Sequence, residues 1–242
     1  MEGIKMKNLV IEVVGYLLSH KEIFGRLLPK RIRRMVRKIV QKTAVAVGYN
    51  INTKEYWDSI WQEEGLDTWR VFPILFENIL SAVPANAKVL DVACGVGKLL
   101  KLIQEEKNTA VYGLDISSVA IQKLKNQGIS GVVADCQNIP FKENTFDVVI
   151  ATEILEHLSN PVRTLEEIHR VLKIDGLLIV SVPNSVKGPS HTLEHLRAYN
   201  KASLEQQLTI YFSDIKTITV SEFDCEHLLS YCKNFERKTR GS

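Results

Sequence analysis

The chain has 242 residues, 45% of them hydrophobic and 24% charged, with a formal net charge of +3. Those proportions exclude a disordered, collagen-like or multi-spanning membrane chain, and the length suits one α/β domain with an appendage. Four cysteines, Cys94, Cys136, Cys225 and Cys232, lie far apart with no C-x-x-C pair, which reads as reduced thiols and predicts a cytoplasmic location.

The charge is unevenly spread. Nine basic and no acidic residues fall between Ile23 and Lys54, while the first 22 residues balance; the remainder, from Glu55 onward, therefore carries −6. The apolar stretch Leu9 to Leu18 is interrupted by Glu12 and Gly15 and is shorter than the ~20 residues of a membrane span. From Leu28, the residues Leu28, Ile32, Met35, Val36, Ile39 and Val40 recur at the spacing of one helical face, with Arg31, Arg33, Arg34, Arg37 and Lys38 around them. This predicts a basic amphipathic helix. Residues 1–55 are read as a basic helical arm and residues 56–242 as the main domain. Packing of the arm on its own domain ranks first. Peripheral contact of residues 27–42 with a membrane or a lipid-like substrate ranks second, and nucleic acid third, because no aromatic residues alternate with these arginines.

Next comes Tyr56-Trp57-Asp58-Ser59-Ile60-Trp61, then a helical pattern from Val71 to Val83; core packing is the favoured role of Trp57, Trp61 and Trp69, with an aromatic lid as the alternative. From Ala87 the pattern becomes regular. Apolar runs of strand length (Lys88 to Val92, Ala110 to Leu114, Gly131 to Ala134, Phe146 to Ala151, Leu177 to Val182) alternate with helical segments (Lys98 to Glu106, Ser118 to Gln127, Val162 to Lys173). Continuously apolar strands separated by helices predict a doubly wound, mostly parallel sheet covered on both faces. Asn160 and Pro161 have the chemistry of a helix N-cap and first residue. Asp175-Gly176 is read as the turn into the fifth strand. Ile215 to Val220 and His227 to Cys232 are read as a closing strand pair.

The strongest chemical signal is Val89-Leu90-Asp91-Val92-Ala93-Cys94-Gly95-Val96-Gly97-Lys98-Leu99-Leu100, a buried strand leading through a glycine turn into a helix. Gly95 and Gly97 permit unusual backbone angles and close approach of a ligand. With Ala93 and Leu100 where a dinucleotide-binding loop would have glycines, a pyrophosphate ligand is disfavoured. Asp115, 24 positions after Asp91 at the end of the second strand, sits near the spacing at which a carboxylate meets ribose hydroxyls. Asp135-Cys136, after the third strand, offers an acceptor for an exocyclic amine and a backbone donor for a ring nitrogen. Together these suit an adenosine.

In this order and spacing, the loop, Phe146 to Ala151, Glu153-Ile154-Leu155-Glu156-His157-Leu158, Arg170 to Gly176 and Val182-Pro183-Asn184 resemble the class I S-adenosylmethionine-dependent methyltransferases. Specifically, they resemble the large group that includes the ubiquinone-pathway methyltransferases. The resemblance covers Asp91 to Asn184 and implies a seven-stranded Rossmann-like sheet with an added N-terminal helical segment. It also implies S-adenosyl-L-methionine as cofactor. Asp91, Ala93, Cys94, Gly95 and Gly97 would surround the methionine part and Asp115 would hold the ribose. Ile116 would pack on the adenine, Asp135 with the backbone of Cys136 would read its edge, and Thr152 would also belong to the cofactor site. Family members usually have Gly where Ala93 stands.

Methyl transfer asks the protein to align the acceptor and, for a hydroxyl, to remove its proton. The loop after the fourth strand supplies Glu153, Glu156 and His157, which would share one face of a helix. A cap from Ser190 to Asn200 supplies His191, Glu194, His195 and Arg197. Glu153, His157 and His195 are the catalytic candidates. The Glu-x-x-Glu-His arrangement is similar to that of ubiquinone-pathway O-methyltransferases and small-RNA terminal 2′-O-methyltransferases, where magnesium-type ions assist acceptor binding. Capping and packing by Glu156 and His157 is the favoured reading over a divalent metal such as Mg, so no metal ligand is assigned. The expected activity is methylation of a small or lipid-like acceptor, on oxygen, with RNA or protein as the alternative.

Overall fold

The computed structural model describes residues 50, 52–63, 72–185 and 194–235. The basic arm at 27–42, Trp69 and His191 lie outside the described residues.

Seven strands form one sheet in the order β3-β2-β1-β4-β5-β7-β6. They are β1 (Lys88–Val92), β2 (Ala110–Asp115), β3 (Ser130–Val133), β4 (Phe146–Thr152), β5 (Leu172–Pro183), β6 (Phe212–Glu222) and β7 (Cys225–Asn234). The first five pair in parallel, and β7 runs antiparallel between β5 and β6. Among the described residues the helices are α1 (Lys54–Glu63), α2 (Pro73–Ala82), α3 (Lys98–Lys107), α4 (Ser118–Lys125), α5 (Pro161–Val171) and α6 (Lys201–Leu208). No helix among the described residues is long and apolar enough to cross a membrane.

Alternation along the central strands divides the core. Leu90, Val92, Val149, Ala151, Val180 and Val182 face α5 and α6, with Leu165, Ile168, Leu204 and Leu208 in the same cluster. Val89, Val148, Ile150 and Ile179 face the other layer, where Leu75 and Ile79 of α2, Leu100 and Ile103 of α3, and Ile121 and Leu124 of α4 cover them. Both faces are dry, which is why the strands read as unbroken apolar runs.

Asn160 caps α5 by accepting from the Arg163 N–H, with Pro161 at the first helical position. The segment Lys173 to Gly176 differs from expectation: α5 ends at Val171, and β5 begins at once and runs through these residues. Asp175 adopts φ +59°, and the pairing with β4 shifts register between Phe146 and Val148. The Asp-Gly pair is an irregularity inside a long strand rather than a turn ahead of it.

Candidate cofactor and acceptor site

Beyond β1 the chain turns sharply, with Ala93 at φ +70°, Gly95 at +53° and Gly97 at +81°. Ala93 and Cys94 donate their N–H groups to the Leu114 carbonyl at 2.7 and 3.0 Å, fastening the loop to β2. A Cβ on Gly95 would lie 2.7 Å from the Trp61 ring, and one on Gly97 would lie 2.1 Å from Leu124. Both positions thus need glycine for space as well as for backbone angle. Ala93 occupies a left-handed conformation that costs an L-residue about 1–2 kcal/mol, which explains physically why a glycine would suit that place.

Asp115 organises the loop: one carboxylate oxygen accepts from the Gly95 N–H at 2.8 Å and the other from the Ser117 N–H at 2.8 Å. Burial pushes its pKa up to about 6 despite these donors. Asp91 is 2% exposed and its Oδ1 has no hydrogen-bond partner within the protein. Burial, reinforced by the charge of Asp115, raises its pKa to about 8. A buried carboxyl oxygen left unpaired beside a glycine turn suits a ligand that brings its own positive charge. S-adenosylmethionine carries an ammonium and a sulfonium, so the residues present fit it. Ile116 is half-buried beside Asp115, and Thr152 is half-buried at the end of β4. Asp135 is exposed, with Oδ1 accepting from the Gln137 N–H at 2.8 Å, while Cys136 is buried with Sγ 3.5 Å from Thr164 Oγ1. Any contact of Cys136 with an adenine edge would therefore come from its backbone.

Helix α1 joins this half of the site to the next. Asp58 accepts from Ser117 Oγ at 2.6 Å and from the Val119 N–H at 3.2 Å, at the start of α4. Partial burial would raise its pKa, but Lys54 and the surrounding donors outweigh it and hold the group at about 2. Farther along α1, Trp61 covers Gly95. On the other side, Tyr56 donates to Glu194, Asn52 donates to the Glu194 carbonyl at 2.8 Å, and Trp57 meets the His157 ring edge-on at 5.4 Å. Both described tryptophans of α1 are half-buried and line the site instead of filling the core.

At the carboxyl ends of β4 and β5 the expected helical face is absent. Only Leu155–His157 forms a 3-10 turn, and Glu153 stands outside it at φ +51°. Glu153 turns toward the sheet, where its Oε1 accepts from Ser181 Oγ at 2.9 Å and from His227 Nδ1 at 3.1 Å. Glu156 is 1% exposed, and neither of its carboxylate oxygens has a hydrogen-bond partner, although Oε1 lies 3.8 Å from His157 Nε2. Burial first, and the Glu153 charge second, hold its pKa well above the usual range. His157 Nδ1 donates to the Glu194 carbonyl at 3.1 Å, and burial with the nearby His195 lowers its pKa to about 4. Burial also lowers His195, whose ring is 4.7 Å from that of His157. One ligand atom from each of Glu156, His157 and His195 lies within 4.8 Å of the others, the group among the described residues with the geometry to hold an ion.

The three catalytic candidates are thus brought to one end of the sheet, but in two groups: Glu153 with Ser181 and His227, and His157 with His195 and Glu156. Sequence reading missed Ser181, His227, Tyr56 and Asp58. Ser181 and His227 were concealed inside strand runs, where an inward polar residue reads only as strand alternation.

Residues 90–180 match the family model described as a methyltransferase domain. The chain is 35% identical over 108 residues to a sterol 4-C-methyltransferase of Caenorhabditis elegans, a stretch covering 39% of this chain and 30% of that protein. It is 34% identical over 106 residues to a tRNA (carboxymethyluridine(34)-5-O)-methyltransferase of Arabidopsis thaliana, covering 43% of this chain and 26% of that protein. The match thus spans less than a third of either relative. A solved S-adenosylmethionine-dependent methyltransferase from Aquifex aeolicus shares the fold, with a TM-score of 0.59 at 20% identity over 73% of this chain and 98% of its own. Residues 90–180 thus match a methyltransferase domain, and the solved structure shares its Rossmann-like fold.

Proposed function

We propose that the protein transfers the methyl group of S-adenosylmethionine to the oxygen of a small or lipid-like acceptor. When bound, the cofactor supplies an electrophilic methyl carbon and keeps the electron pair of the broken carbon–sulfur bond. Asp91 and Asp115 hold it at the ends of β1 and β2, and Trp61 covers the glycine loop. The acceptor lies at the ends of β4, β5 and β7, the edge where open parallel sheets bind ligands.

The observation that carries this reading is the character of that second compartment. It is walled by Trp57, His157 and His195 and contains a buried Glu156, with burial favouring the neutral forms of Glu156 and both imidazoles. Neutral, partly aromatic walls suit an apolar body bearing a hydroxyl better than a polyanion. The −6 charge from Glu55 onward also opposes RNA. The sterol-methylating relative supports a lipid-like acceptor, although its name places the methyl on carbon. The tRNA-methylating relative and the nine basic residues between Ile23 and Lys54 favour the second reading, an RNA acceptor gripped by the arm.

Incubating the full chain with radiolabelled S-adenosylmethionine and either a total lipid extract or total tRNA separates the two. Label is expected in the lipid fraction; label only in tRNA, with binding that weakens steeply in salt, would reverse the ranking. Calorimetry with the cofactor tests the foundation. Asp115→Ala is expected to weaken binding at least 100-fold, and no binding by the wild-type chain would end the methyltransferase reading.

A further inference from the structure

One polar constellation in the acceptor compartment joins three strands. Glu153 at the end of β4, Ser181 in β5 and His227 in β7 meet at a single carboxylate oxygen, Glu153 Oε1, at 2.9 Å from Ser181 Oγ and 3.1 Å from His227 Nδ1. A carboxylate only accepts, so Nδ1 carries the hydrogen. The neutral ring then has its lone pair on Nε2. His227 is 2% exposed, and Nε2 is buried with no hydrogen-bond partner among the described residues. Leaving such an acceptor unpaired is unfavourable, and the ring is held in place on several sides. Phe72, half-buried ahead of α2, meets it edge-on at 4.4 Å, and the backbone of His227 pairs with Pro183 and Val220. Glu153 is kept at φ +51° to reach it, a strained angle for a non-glycine residue.

Resting on the oxygen-acceptor reading above, we propose that His227 is the general base of the reaction and Glu153 its positioning residue. The acceptor hydroxyl donates to Nε2. As the acceptor oxygen bonds to the methyl carbon and the carbon–sulfur bond breaks, its proton passes to Nε2, and the Glu153 carboxylate stabilises the imidazolium until solvent takes the proton. Ser181 holds the carboxylate on its other side. His157 is the poorer base: its Nδ1 donates to a neutral carbonyl, that of Glu194, which stabilises an imidazolium less than a carboxylate does, and its ring is packed between Trp57 and His195. For Nε2 to reach the acceptor, the Phe72 ring, 4.4 Å from that of His227, has to move as the acceptor enters.

The test uses the full chain labelled with 15N-histidine. Imidazole spectra are expected to show the His227 signals, identified by their loss in His227→Asn, in the Nδ1–H tautomer. They should move toward Nε2–H in Glu153→Gln, whose amide can donate to Nδ1. With label transfer to lipid as the second readout, His227→Asn is expected to slow single-turnover transfer by about 10²–10⁴-fold. Cofactor affinity should stay within twofold, which shows that the variant has folded. An Nε2–H tautomer in the wild-type chain, or wild-type transfer by His227→Asn, overturns the proposal. A chain that binds cofactor but labels no lipid defeats the oxygen-acceptor reading separately. The tautomer then decides the pairing by itself: Nδ1–H upholds it and Nε2–H overturns it.

Discussion

At the cofactor half of the site, the organising carboxylate, Asp115, takes its hydrogen bonds from Gly95 and Ser117, 20 and 2 residues away. At the acceptor half, Glu153 takes its own from Ser181 and His227, 28 and 74 residues away, and His157 is held by a residue 37 positions along. The first half is a local motif built on one βαβ unit, and main-chain donors do most of its binding. The second is assembled side chain to side chain from strand ends that meet only in the folded sheet. Each half also contains a buried carboxyl group without a full set of partners, Asp91 in one and Glu156 in the other. In the cofactor half, the unpaired carboxyl oxygen suits a ligand that is itself cationic.

The largest expected effects compare those two groups. A carboxyl whose folded pKa is raised binds more protons folded than unfolded, so stability falls as pH rises from the unfolded value toward the folded one. For Asp91 that window runs from 3.8 to about 8. Asp91→Asn is expected to stabilise the ligand-free chain at pH 8 by an amount on the order of a few kcal/mol, and to flatten the loss of stability with pH, while abolishing cofactor binding. Glu156→Gln is expected to shift stability in the same direction with cofactor affinity unchanged. Denaturant titrations across pH 4–8, with calorimetry, check both; loss of cofactor binding in Glu156→Gln would erase the distinction between the halves.

A smaller effect concerns the helix that spans them. Asp58→Ala removes the cap that α1 supplies to α4 and is expected to cost about 0.5–2 kcal/mol at pH 7. Because the folded pKa of Asp58 is lowered to about 2, its contribution is fully present above about pH 4 and is lost as pH falls toward 2. The mutational penalty, measured by thermal melts, should therefore vanish in strong acid. An undiminished penalty there would show that the contribution of Asp58 does not depend on its charge. The smallest effect belongs to the loop: Ala93→Gly relieves the φ of +70° and is expected to raise stability by up to about 1 kcal/mol without weakening the cofactor.

The doubly wound sheet, its strand positions and the glycine turn were legible because each rests on local periodicity or local backbone chemistry. Asn160 and Pro161 stand as read, and so do the bounds of β1. Extrapolation failed where spacing was projected through a segment of unknown backbone. Glu153, Glu156 and His157 share a helical face only if residue 153 is helical, and a left-handed angle there sends Glu153 to His227 instead. Asp175-Gly176 has turn chemistry, but pairing with β4 keeps it inside a strand.

By itself, then, the sequence determined the class of fold and the cofactor-binding motif, since apolar runs, glycine positions and acidic residues at strand ends express short-range geometry. It also located an excess of positive charge ahead of the domain. Only the tertiary structure decided how the acceptor compartment is furnished. Two carboxyl groups and three imidazoles from β4, β7 and the cap beyond β5 acquire their neighbours through sheet order and antiparallel registry. Those are properties of how distant strands align, and no spacing along the chain encodes them.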